Sequence, residues 1–171
     1  MPRLLPGPVR GSLSLALFTI NTIFWTLPLL GFQLVKLAIP APGWRAFWAR
    51  FQNGIGTTWI GCNNLHLGLH NPARKDVQGV EGVSTDRWYM VVANHQTWVD
   101  ILVLQRIFNR RIPVLKFFLK KELFRVPFLG LAWWCLDFPF LERSGVASKD
   151  RETTLKACEK FKALPVTVMN F

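Results

Sequence analysis

Apolar and polar positions divide the chain into stretches of different period. No ionisable side chain occurs between residues 11 and 35, a run of 25 residues reading GSLSLALFTINTIFWTLPLLGFQLV. At about 1.5 Å per residue, a helix of that length crosses the roughly 30 Å hydrocarbon core of a bilayer. The apolar part of a signal peptide is shorter, about 7–15 residues, and no small-x-small cleavage site lies ahead of Lys36. Pro28 predicts a kink or an end to this helix, and Asn21 sets an amide near its middle, so a re-entrant helix stands beside a spanning one. Beyond the break Ile39-Pro40-Ala41-Pro42-Gly43, the residues Trp44, Phe47, Trp48, Phe51 and Ile55 recur at helical intervals, with Arg45 and Arg50 between them. Tryptophan beside arginine suits a headgroup boundary, so residues 44–69 are expected to form an interfacial amphipathic helix rather than an ordinary core helix.

The period then changes. Pro72, Gly79 and Gly82 mark a polar connection over residues 71–86, with a short strand expected over 77–80. WYMVVAN at 88–94 is a β-rich apolar run; HQTWVD follows at once, and then ILVLQRIF, whose length suits a buried helix. Further on, Thr154, Ala157, Cys158 and Phe161 share a face of a helix expected over 148–163, and Pro165 opens a strand over 166–171. The fold class is therefore α/β: N-terminal membrane helices over residues 1–70, then a partial mixed β-sheet flanked by helices over residues 71–171. The last strand is expected at an open edge of that sheet.

Composition narrows the partners. Twenty-one Lys+Arg against 10 Asp+Glu leave a formal charge of +11, yet half the residues are hydrophobic and 8 are Trp and 14 Phe, which excludes a disordered basic tail. Basic and apolar together point to anionic lipid; nucleic acid is not expected, because no recognition-helix or zinc-finger pattern is present. Cys62, Cys135 and Cys158 are odd in number and lack a CxxC pair, so neither disulfides nor a thiolate zinc site is expected. Cys62, His66 and His70 are spaced four apart and would share a helix face, but Gly68 weakens that helix and no carboxylate is near, so no metal is expected. Cys135, inside WWCL, reads as packing.

The strand-turn-helix at 88–108 carries the candidate chemistry. A general-base imidazole needs one nitrogen facing a substrate hydroxyl and the other donating to an acceptor that fixes its tautomer. His95 and Asp100 can meet across such a turn, at the carboxyl end of a strand where open α/β sheets present ligand sites. Asp100 has a second possible use: three residues after Thr97, it completes a capping-box-like pair.

Asn94-His95-Gln96-Thr97-Trp98-Val99-Asp100 resembles the NHxxxxD signature of the glycerolipid acyltransferases. Leu119-Lys120-Lys121-Glu122-Leu123 and Val126-Pro127-Phe128-Leu129-Gly130 resemble that family's LKxxL and PxxG segments, and Phe140-Leu141-Glu142-Arg143-Ser144 its second block. The segments before the motif and the Arg143-Ser144-Gly145 ending look most like a bacterial member near the lysocardiolipin acyltransferases. The resemblance implies acyl transfer from a thioester, acyl-CoA or acyl carrier protein as co-substrate, to the free hydroxyl of a lysophospholipid such as lysophosphatidic acid, in phospholipid biosynthesis or remodelling. His95 would be the base and Asp100 its partner. Arg143 and Lys120 would hold the acceptor's phosphate, with Asn94 beside them, and no cofactor is implied. The implied location is the bacterial inner membrane, with the catalytic segment facing the cytoplasm and its donors.

In the family, a strand like 166–171 runs into a third block, F-x-E-G-T-R, of which Phe171 could be the first residue. The resemblance therefore suggests a C-terminally truncated acyltransferase. The alternative reading is a catalytically inactive membrane-binding fragment of such an enzyme.

Overall fold

The computed structural model describes residues 6–70, 76–94, 96–141 and 147–170. It opens with two long helices, α1 (Gly7–Ala38) and α2 (Pro42–His70). They run antiparallel, joined side by side by a ladder of polar contacts. Ser14 Oγ meets His66 Nε2 at 2.9 Å, Asn21 donates to Asn63 Oδ1 at 2.7 Å, Gln52 donates to Gln33 Oε1 at 3.0 Å, and the Trp44 indole donates to the Val35 carbonyl at 3.0 Å. The amide of Asn21, out of place in a simple apolar span, is thus spent on the hairpin. His66 is likewise engaged by Ser14 and packs edge-on against Phe18.

α1 runs on through Pro28, so the helix does not end there. Proline removes one helix hydrogen bond, at a cost of about 3 kcal/mol in an isolated helix. Here packing holds both sides of it: Thr26, Leu29, Gln33 and Lys36 form a buried stripe at helical spacing, and Thr22 and Thr26 return their hydroxyls to the carbonyls four residues earlier. The opposite face of α1 exposes Ile20, Phe24, Leu27 and Leu34. The helix is inverted relative to one in water, with its polar groups facing protein and its apolar groups facing outward. By length and composition it could span a membrane.

The rest of the chain is β1 (Tyr89–Val92), α3 (Trp98–Phe108), β2 (Leu115–Phe117), β3 (Leu119–Lys120), a 3-10 helix (Lys121–Arg125), α4 (Leu129–Cys135), β4 (Phe140–Leu141), α5 (Ala147–Glu159), a 3-10 turn (Lys160–Lys162) and β5 (Thr167–Asn170). The strands form two small sheets, ordered β1-β5-β2 and β3-β4. Every described pairing is parallel, so the expected mixed sheet is corrected to parallel ones. The reason is connectivity: helical segments lie between β1 and β2, and between β4 and β5, and bring the chain back in the same direction. β5 is a central strand, with Thr167 opposite both Tyr89 and Leu115, and not the open edge expected. The short strand expected over 77–80 is also absent, because Gly79 and Gly82 take φ of 73° and 80°, which break an extended run. Leu29 of α1 and Trp59 of α2 lie in the same core as Leu115, Phe117, Trp133 and Met169, so the hairpin and the sheet share one apolar cluster.

Cys135 is buried there, and desolvation pushes its thiol up to about 11, so it acts as a small apolar side chain and not as a nucleophile.

The PxxG segment has a steric explanation. Phe128 adopts φ 59°, and the Leu129 amide donates to the Pro127 carbonyl at 2.6 Å, closing a γ-turn. This throws α4 back across the preceding 3-10 helix so closely that a Cβ on Gly130 would sit 2.2 Å from the Phe124 carbonyl oxygen.

Lys116, the middle residue of β2, points away from Leu115 and Phe117 and is only 5% exposed. Burial lowers its pKa from 10.5 to about 8; the Asp137 carboxylate opposes the shift, while Lys36 and Lys160 add to it. Between pH 8 and 10.5 the unfolded chain holds a proton that the folded chain has lost, so stability rises with pH across that window. Below pH 8 the whole penalty, roughly 3 kcal/mol, remains. Lys116→Met is therefore expected to raise the melting temperature at pH 7 in lipid-free micelles and to flatten its rise between pH 8 and 10, as thermal melts at several pH values would show. An unchanged pH profile would contradict the burial argument.

Candidate active site

β1 ends at Val92, and Asn94 is exposed just beyond, at the carboxyl end of the parallel sheet. The chain then turns into α3, whose N-cap Thr97 is extended (φ −149°) and accepts the Val99 amide at 3.2 Å. Asp100, in the first turn, reaches back: its Oδ2 accepts the backbone amides of Gln96 at 2.7 Å and Thr97 at 2.8 Å. Its charge also sits at the positive end of the helix. The capping box offered by the spacing is thus formed.

Capping does not exhaust Asp100. A carboxylate has about four acceptor sites, and the two amides use two of them, both on Oδ2. The two donors are the amides of Gln96 and Thr97, so the carboxylate is fixed in orientation against the backbone of the turn. His95 and Arg143 themselves lie outside the described residues.

Lys120, the last residue of β3, is exposed and pairs in register with Leu141 of β4. The second sheet therefore places Lys120 beside the end of β4. β3 follows β2 after the single residue Phe118, which carries this pair out beyond the carboxyl end of the main sheet. Among the described residues no group of three His, Cys, Asp or Glu side chains is arranged to hold a metal.

Two features were not read from the sequence. One is the pair of backbone amides at Gln96 and Thr97, which carry no side-chain signal. The other is an apolar cavity of about 440 Å³ beneath Trp98, walled by Phe18, Trp59, Ile101, Phe117 and Trp133. Trp98, Ile101, Leu102 and Gln105 line it from α3 at the spacing i, i+3, i+4, i+7, a signal that marks a buried face without distinguishing a cavity from a packed core.

Comparison with known proteins gives a family and no individual relative. No curated protein and no solved structure matches the chain. A family model described as acyltransferase matches residues 74–168, more than half of the 171 residues and all of the segment from β1 into β5, including positions 94, 95, 100, 120 and 143. Matched over more than half of its length, in a segment folded as a parallel α/β unit, the chain belongs to the acyltransferase family.

Proposed function

We propose that the protein transfers a fatty acyl group from an acyl thioester, on coenzyme A or acyl carrier protein, to the free hydroxyl of a lysophospholipid of the lysophosphatidic acid type, in phospholipid biosynthesis or remodelling. The observation that carries this reading is the Asp100 carboxylate, held by the Gln96 and Thr97 amides at the turn that begins with His95. In the reaction, His95 takes the hydroxyl proton as the oxygen attacks the thioester carbonyl. The carbon–sulfur bond breaks, and the proton passes from His95 to the departing thiolate. Asp100 orients the imidazole and stabilises its cation. No covalent enzyme intermediate and no cofactor are needed.

Arg143 and Lys120 hold the acceptor's phosphate, with Asn94 as a further polar contact. Arginine suits this role because its planar fork engages two oxygens at once. The cavity beneath Trp98 has the size and apolar lining of a small-molecule pocket. The outward apolar face of α1 and the +11 charge support residence at the cytoplasmic face of a bacterial inner membrane, and the motif ending supports a place near the lysocardiolipin acyltransferases.

An acceptor panel tests the phosphate assignment. Membranes carrying the protein expressed from its own gene are expected to acylate lysophosphatidic acid at least tenfold faster than monoacylglycerol, which lacks the phosphate, because a charge-assisted contact contributes about 1.5–3 kcal/mol. Equal rates on both would contradict it.

A further inference from the structure

A second cavity, of about 350 Å³, lies under the tip of the α1–α2 hairpin, between α1, α2, the end of α4 and the 3-10 turn Lys160–Lys162. It shares no lining residue with the cavity beneath Trp98. Its walls carry four cations, Lys36, Arg45, Lys116 and Lys160, against one carboxylate, Asp137. That carboxylate is already paired with Lys36. Lys116 is buried, has no hydrogen bond or ion pair among the described residues, and rests 5.9 Å from the centre of the Phe161 ring. A desolvated ammonium without an acceptor is costly, and here it faces a space large enough for an anion. We propose that this cavity binds the phosphate of an anionic phospholipid, with Lys116 and Lys36 beneath it and Arg45 and Lys160 at the rim.

Two features favour a lipid over free phosphate. The hairpin beside the cavity exposes Leu34, Leu37, Ile39 and Phe47, an apolar skirt along which acyl chains can lie while the headgroup turns inward. Leu37 and Pro42 themselves line the opening. The charge and the apolar surface are contiguous, as a lipid requires and a free anion does not. The site involves neither His95 nor Asp100, so it is separable from acyl transfer.

The test follows the Lys116 ammonium by ¹³C-lysine NMR of the full chain in zwitterionic micelles, with the signal assigned by its absence from Lys116→Met. Short-chain phosphatidylglycerol is expected to move the titration midpoint up from about 8 by at least one unit, equivalent to tenfold tighter binding by the protonated form, whereas phosphatidylcholine does not. Phosphatidylglycerol should also raise the melting temperature of the wild type and not of Lys116→Met. No shift with phosphatidylglycerol, or an equal shift with phosphatidylcholine, would overturn the site. An equal shift with inorganic phosphate at the same concentration would overturn the lipid assignment. An equal lipid-dependent rise in melting temperature in Lys116→Met would overturn the role of that residue.

Discussion

Asp100→Asn is expected to reduce acyl transfer by about 10⁴-fold, the scale seen when the orienting carboxylate of a hydrolytic triad becomes an amide, while leaving the turn intact. The amide oxygen of asparagine can still accept from the Gln96 and Thr97 amides that hold Oδ2 at 2.7 and 2.8 Å, so the cap survives. The charge that stabilises an imidazolium does not. Asp100→Ala removes both and should add a stability loss of about 1 kcal/mol, typical of a lost cap. The pair separates the two uses of one carboxylate: kinetics should fall in both variants, and the melting temperature mainly in the second. Turnover within tenfold of wild type in Asp100→Asn would reduce Asp100 to a helix cap.

Gly130→Ala should have the largest effect on folding outside the site. The added methyl would lie 2.2 Å from the Phe124 carbonyl oxygen, 2.7 Å from its carbon and 2.8 Å from the Leu123 oxygen. All three are backbone atoms, so no side-chain rotation relieves the clash. The α4 helix would have to lift off the 3-10 helix, which carries Trp133, Cys135 and Leu136 out of the core. Overpacking a core costs about 1–3 kcal/mol and sometimes more. An effect at or above the upper end is expected here, read as a fall in melting temperature and as exposure of the Cys135 thiol to alkylation. Native-like protection of Cys135 in this variant would show that the junction can relax.

The fold was legible where side-chain period and local chemistry agree. WYMVVAN followed by a polar turn and ILVLQRIF marked β1 and α3, and the capping box at Thr97 and Asp100 could be read from spacing alone. Pro165 and the β-branched run after it marked β5. What stayed hidden depends on long-range packing. Pro28 carries a local cost that the buried stripe of α1 outweighs, and the central place of β5 rests on strands 50 and more residues away. The polar ladder between α1 and α2 was equally hidden, because Asn21 and Asn63 gain meaning only once the hairpin sets them 2.7 Å apart. Of the two uses read for Asp100, the capping box is formed. His95 and Arg143 were named as candidates, Arg143 by resemblance alone, and they lie outside the described residues.

Acyl transfer with His95 as base is tested most directly by one assay. Membranes carrying the protein expressed from its own gene are given lysophosphatidic acid and a labelled acyl thioester, and labelled phosphatidic acid is measured for wild type and His95→Ala at equal protein levels. The expected result is thioester-dependent product from wild type and background from His95→Ala. Equal product from both, or no thioester-dependent product from wild type, would contradict it.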